Sequence, residues 1–128
     1  MKKLLVLAIT TLTLAACQES LEEKAAREAQ MYTKKNCPAR ISETVIMDSM
    51  TFEKESHTIH YYYTLTGAAD SLGITNKEEA RGSLLAALKN TPSLAIYKDD
   101  GYRFAYTYHS QSVPDTILFE TAFTSDDY

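Results

Sequence analysis

Tryptophan is absent from this 128-residue sequence, and it holds only two cysteines, three prolines and four glycines. So little glycine and proline excludes collagen-like and low-complexity chains. Two cysteines, Cys17 and Cys37, exclude a disulfide-stapled scaffold. There is no basic run, which argues against nucleic acid or anionic headgroups as partners. No glycine-rich phosphate loop occurs, and neither Ser71 nor Ser83 sits in a nucleophile elbow. Beyond Ala16 no apolar run approaches the roughly 20 residues of a transmembrane helix.

The start of the chain supplies what the rest lacks. Met1-Lys2-Lys3 precedes an uncharged apolar and threonine-rich segment, Leu4 to Ala16, which is the anatomy of a secretory signal. The stretch Leu14-Ala15-Ala16-Cys17 resembles the lipobox of bacterial lipoproteins. That resemblance covers the first 17 residues only. It implies removal of residues 1–16 and acyl chains on Cys17, and Gln18 after the cysteine leans toward the outer membrane rather than the inner one. An ordinary signal with cysteine as the first mature residue is the alternative. At about 0.8 kcal/mol per buried methylene, the three chains borne by this class would anchor the protein essentially permanently. Loss of Lys2 and Lys3 would take the formal charge from −4 to −6. Residues 17–36 then form a lipidated cysteine with a helix or stalk, and residues 37–128 a single domain with one core.

Ser20-Leu21-Glu22-Glu23 reads as a capping box opening a helix to about Lys35, with acids at its start and Lys34-Lys35 at its end. Its apolar stripe is thin, Leu21, Ala25, Ala29 and Tyr32 with Met31 alongside, so docking is expected at the Met31/Tyr32 end, the rest forming a stalk about 22 Å long at 1.5 Å per residue. Thr44 to Phe52 and Thr58 to Thr66 read as strands of a hairpin. Val45 and Met47 compete with Ile46, Met50 and Phe52 for one face, which a bulge near Asp48 would reconcile. Gly67 to Gly73 reads as loop, and Thr75-Asn76-Lys77-Glu78 as a capping box opening a second helix to about Asn90. Gly82 within that helix suggests close approach to a strand. Leu94–Lys98 and Tyr102–His109 flank Asp99-Asp100-Gly101 and read as a second hairpin, and Thr116–Phe123 as a last strand.

The predicted fold is therefore α+β, an antiparallel sheet of about five strands with helix packed on one face, in the order α-β-β-α-β-β-β. Alternation places Ile59, Tyr61, Tyr63, Leu65, Tyr102, Phe104, Tyr106, Tyr108, Ile117, Phe119 and Phe123 under the helix. The opposite face receives His60, Tyr62, Thr64, Arg103, Ala105, Thr107, His109, Leu118 and Glu120.

Nine tyrosines are read first as cross-strand packing pairs, worth roughly 0.2–1 kcal/mol each. His57 and His60 point to opposite faces, so no metal site is assigned, and no cofactor or catalytic residue either. Cys37, unpaired once Cys17 is acylated, is expected shielded under the sheet. The candidate partner-binding residues are His60, Tyr62, Arg103 and His109 on the outer sheet face, because tyrosine and arginine are enriched at binding hot spots. The function expected is that of a small lipid-anchored envelope lipoprotein, in the outer membrane facing either side. It acts as a non-enzymatic protein-interaction or accessory module, with an envelope protein as partner and no nucleic acid. A small-ligand-binding lipoprotein is the runner-up, and an enzyme without local motif the third class. The lipobox reading has a direct test. Cys17→Ser should yield an uncleaved or soluble product without acyl label; a variant that still carries lipid and fractionates with membranes contradicts it.

Overall fold

The computed structural model describes residues 19–128, so the signal segment and Cys17 lie outside the described residues. Helix α1 (Leu21–Asn36) begins at Ser20, whose hydroxyl accepts from the Glu23 amide at 3.1 Å. Three strands follow, β1 (Ala39–Ser42), β2 (Val45–Glu53) and β3 (Thr58–Leu65). Then come α2 (Gly67–Leu72), α3 (Lys77–Lys89), a 3-10 turn (Pro92–Leu94) and α4 (Ala95–Asp99), and finally β4 (Arg103–Ser110) and β5 (Ile117–Phe123). The strands form one five-stranded sheet in the order β1-β2-β3-β4-β5. The class is α+β with helix on one face of the sheet, as the sequence implied.

The route to five strands differs from the predicted order. Neighbours are antiparallel except the central pair β3–β4, which is parallel from Thr58↔Arg103 to Leu65↔Ser110. Parallel neighbours need a crossover, and the helices between Gly67 and Asp99 supply it. Leu94–Lys98 is consequently not a strand. Pro92 opens a 3-10 turn, and α4 ends in Gly101 at φ 74°, with the Tyr102 amide donating to Tyr97 O and the Gly101 amide to Lys98 O. That pair of bonds is a Schellman motif, which needs the same left-handed glycine as the hairpin turn predicted there. The fifth strand is instead β1, a four-residue strand just ahead of β2. The bulge near Asp48 is present as a register shift between Met47 and Ser49, so Met47 joins the inner face while Thr64 donates to the Asp48 carboxylate at 2.6 Å on the outer one.

The inner face buries Ile59, Phe104, Tyr106 and Phe123 in one cluster with Ala25 of α1, Leu88 of α3 and Tyr97 of α4, and Leu65 and Phe119 are buried beside Ala69 of α2 and Leu84 of α3. Tyrosines pair across strands, Tyr61 on Tyr106 at 5.1 Å and Tyr63 on Tyr108 at 4.5 Å. Burial pushes the Tyr108 hydroxyl up to about 12. Ile117 departs from the predicted inner set: a register shift between Tyr108 and His109 leaves it exposed. Asn76, one residue after Thr75, is the cap of α3 and accepts from the Glu79 amide at 3.0 Å. Asp70 of α2 accepts from the Ser110 hydroxyl and from the Ser112 amide at 2.9 Å, which holds its carboxyl below the usual range and ties α2 to the β4–β5 loop.

Helix α1 docks by the opposite end from the one expected. Ala25 and Ala29 are each 2% exposed, whereas Met31 and Tyr32 are 40% and 41% exposed. Alanine lets the helix backbone lie close to the sheet, and polar ties fix that half: His57 Nε2 meets Glu22 at 2.6 Å, and the Tyr97 hydroxyl donates to Glu28 at 2.6 Å. His57, at φ 48°, stacks on Tyr102 at 5.1 Å while making that contact.

A helix side chain caps one residue on each side of the sheet. The ladder parity turns Met50 outward past the end of β1, and the Thr33 hydroxyl both donates to Met50 O at 2.8 Å and accepts from its amide at 2.9 Å. On the far edge Arg81 donates to Ala122 O at 3.4 Å while lying 4.5 Å over the Phe123 ring. Such caps blunt edge-to-edge pairing. Thr33→Val, which keeps the shape and removes both bonds, should lower unfolding stability by about 1–3 kcal/mol in denaturant titration. Gly82 does not mark a close approach, for a Cβ there would meet nothing within 4 Å. Gly82→Ala should therefore raise stability by up to about 1 kcal/mol, and a loss would contradict the open environment.

Candidate functional site

Two surfaces of the fold have the chemistry of a docking site. One is the outer sheet face, which bears no described helix. The parity of β3 and β4 brings three of the four predicted residues into one row: His60 stacks on Tyr62 at 4.1 Å, and Tyr62 on His109 at 6.3 Å. Arg103, also on this face and exposed, stands apart at the start of β4 opposite Thr58.

The row is tied together from within. The Thr107 hydroxyl donates to Glu120 at 3.0 Å, so the oxygen it presents to His60 Nε2 at 2.7 Å accepts. His60 Nδ1 faces Glu53 at 2.7 Å and the Tyr62 hydroxyl at 3.2 Å. Thr107 is 2% exposed beneath these groups. The chain Glu53–His60–Thr107–Glu120 crosses β2, β3, β4 and β5, and burial pushes the Tyr62 hydroxyl up from its ordinary value. His109 Nδ1 is buried without a hydrogen-bond partner among the described residues. This is a cross-sheet tie with a polar skin.

The other surface lies on the helix face, in the wedge between α1 and the 3-10 turn. Met31, Tyr32 and Lys35 of α1 form one wall, Thr91, Ser93 and Leu94 the other, and Met50 and Tyr61 of the sheet the floor. The wedge encloses about 490 Å³. It exists because α1 is pinned to α4 through Glu28 and Tyr97, and its stripe then changes from alanine to Met31 and Tyr32, which stay partly exposed with Arg27 3.8 Å from the Met31 sulfur. Sequence reasoning missed this site because it took Met31 and Tyr32 for the anchoring end and Leu94 for a strand residue.

Cys37, at the end of α1, is half-buried, and burial pushes its thiol up. Among the described residues no three histidine, cysteine, aspartate or glutamate side chains gather as metal ligands. No described helix is long and apolar enough to cross a membrane.

The sequence model of the family described as "Domain of unknown function (DUF8479)" matches residues 20–119, and the chain belongs to that family. No curated protein sequence matches it. Three solved structures share the fold. A protein from Pseudomonas aeruginosa described as secreted is 12% identical at TM-score 0.68, covering 86% of this chain and 98% of its own. The pilotin EpsS of the Vibrio vulnificus type 2 secretion system is 10% identical at TM-score 0.65, covering 83% of this chain and 89% of its own. The type II secretion system pilotin AspS of Vibrio cholerae is 11% identical at TM-score 0.62, covering 84% and 91%.

If the outer-face row holds the sheet together, Thr107→Val should strand Glu120 and His60 and cost about 1–3 kcal/mol in thermal or denaturant unfolding. Unchanged stability would mean that solvent serves those groups equally well.

Proposed function

We propose that this member of the family is a lipid-anchored accessory protein of the bacterial cell envelope, held in the outer membrane by Cys17, that works by binding another envelope protein and catalyses no reaction. The observation that carries this reading is the open wedge lined by Met31, Tyr32 and Leu94. Paired exposed apolar side chains beside cations are the make-up of a protein contact. A small-ligand binder would instead need an enclosed cavity; Phe104, Phe123 and Leu88 fill the centre of the core, and the clefts that remain between helices and sheet, the wedge and one of about 320 Å³ lined by Leu65, Leu84, Tyr108 and Phe119, are open to solvent. Fold likeness to two type II secretion pilotins gives the reading a direction, toward a secretion or assembly machine of the envelope.

The test is affinity capture of the acylated protein from crosslinked envelope membranes, wild type against Met31→Glu and Leu94→Glu. A partner recovered by the wild type should be lost from both variants, with thermal unfolding little changed in Met31→Glu, whereas Leu94 also packs on the core and its variant is read beside its own unfolding temperature; recovery by both places the contact elsewhere. A second reading puts the contact on the outer face, favoured by the exposed Arg103 and by the absence of a described helix there. Under it, Tyr62→Ala and Arg103→Ala weaken capture without loss of stability, and the wedge variants capture normally.

A further inference from the structure

Among the described residues, Asp70 is the one side chain that hydrogen-bonds α2 to the rest of the domain. None of the six residues of α2 is buried, its Leu72 is 76% exposed, and Thr66 before it gives no side-chain cap. The chain on either side is fixed. Thr66 is buried, with its amide donating to Thr44 O at 2.9 Å and its hydroxyl to Glu43 O at 3.3 Å, and Asn76 is held as the cap of α3. Between these posts the backbone passes through Gly67 at φ 56° and Gly73 at φ 69°, and glycine enters and leaves that region without steric cost. We propose that α2 is a strap that opens as a unit about Gly67 and Gly73, latched shut by the Asp70 carboxylate, and that its opening widens the apolar cleft beside it.

The latch reaches the sheet itself. One oxygen of Asp70 accepts from the Ser110 hydroxyl and the other from the Ser112 amide at 2.9 Å. Ser110 is buried at the end of β4, where its amide donates to Thr116 O at 3.0 Å. The bonds from the Asp70 amide to Thr66 O, from the Gly73 amide to Ala69 O and from the Ser71 hydroxyl to Gly67 O are local. They hold the shape of the strap and not its position.

Beneath it the surface is apolar. Ala69 and Ile74 form the strap side of a cleft of about 320 Å³, and Val45, Leu65, Leu84, Tyr108 and Phe119 form the rest. The segment thus covers the cleft with one methyl group and one isoleucine, and loses little burial of its own by swinging out. Leu65 and Phe119, 3% and 6% exposed when it is shut, are what it bares. The strap is a two-position element whose balance one carboxylate sets.

Amide hydrogen exchange on the full-length protein reads that balance, because a segment that opens by itself exchanges faster than the strands that open only with the whole domain. The Asp70 and Gly73 amides should exchange faster than those of β3 and β4 in the wild type. Asp70→Ala should speed the Gly73 amide about tenfold or more and leave β3 and β4 unchanged, since bonds to a charged group are lost from the closed position only. Gly73→Ala tests the hinge without touching the latch. A Cβ there meets nothing within 4 Å, so its only strain is that of positive φ, and it should also speed exchange of the strap. For the cleft, thiol labelling of Leu84→Cys, read on its own peptide by mass spectrometry, should accelerate when Asp70→Ala is added. Strap amides as slow as those of β3 and β4 in the wild type, no acceleration in Asp70→Ala, or equal acceleration of strap and strands overturns the strap. Faster strap exchange with unchanged labelling of Leu84→Cys overturns the uncovering of the cleft.

Discussion

Ala25 and Ala29 decide how this protein is built. With a methyl group at each position, α1 settles onto the inner sheet face, where both alanines are buried. Larger residues would lift the helix and separate Glu22 from His57, Glu28 from Tyr97 and Thr33 from Met50. Each of those contacts ties α1 to a different part of the chain: the β2–β3 turn, α4, and the free edge of β2. Helix α1 is thus part of the domain, and it and the sheet are held in one body.

The same docking produces the candidate site. The first half of α1 is pinned to the β2–β3 turn and α4, and Thr33 to Met50 past the end of β1, which leaves Met31 and Tyr32 on an overhang, 40% and 41% exposed. The crossover that makes β3 and β4 parallel brings Pro92–Leu94 to the other side of this overhang. Neither element alone makes a wedge. The outer face resolves its polarity differently, by a hydrogen-bonded tie from Glu53 to Glu120 that leaves little unsatisfied except His109 Nδ1.

Much of the fold was legible in the sequence wherever a pattern had one structural meaning. Alternation in Thr58–Leu65 and Arg103–Ser110 sorted the two sheet faces, the competing apolar sets around Asp48 marked a real bulge, and Ser20 caps α1 as read. Legibility failed where one signal serves two geometries. Gly101 with positive φ suits a hairpin turn and a Schellman stop equally, and tertiary packing of Tyr97 chose the helix. Alanine, weakly hydrophobic, reads as a poor anchor although its small size permits the closest approach. Of the four residues expected to bind a partner, His60, Tyr62 and His109 come together as alternation requires, while Arg103 lies toward the other end of the face. The wedge was hidden because it joins residues some 60 positions apart through a crossover that the sequence pattern did not reveal.

The central claim is that α1 is locked to the sheet through its alanine face and is no independent stalk. Amide hydrogen exchange on the full-length protein tests it most directly, because protection reports the free energy of local opening. The account predicts that amides from Ala25 to Thr33 exchange as slowly as those of β3 and β4, opening only with the sheet. Exchange of that stretch at the rate of an undocked helix, while β3 and β4 remain protected, would contradict it.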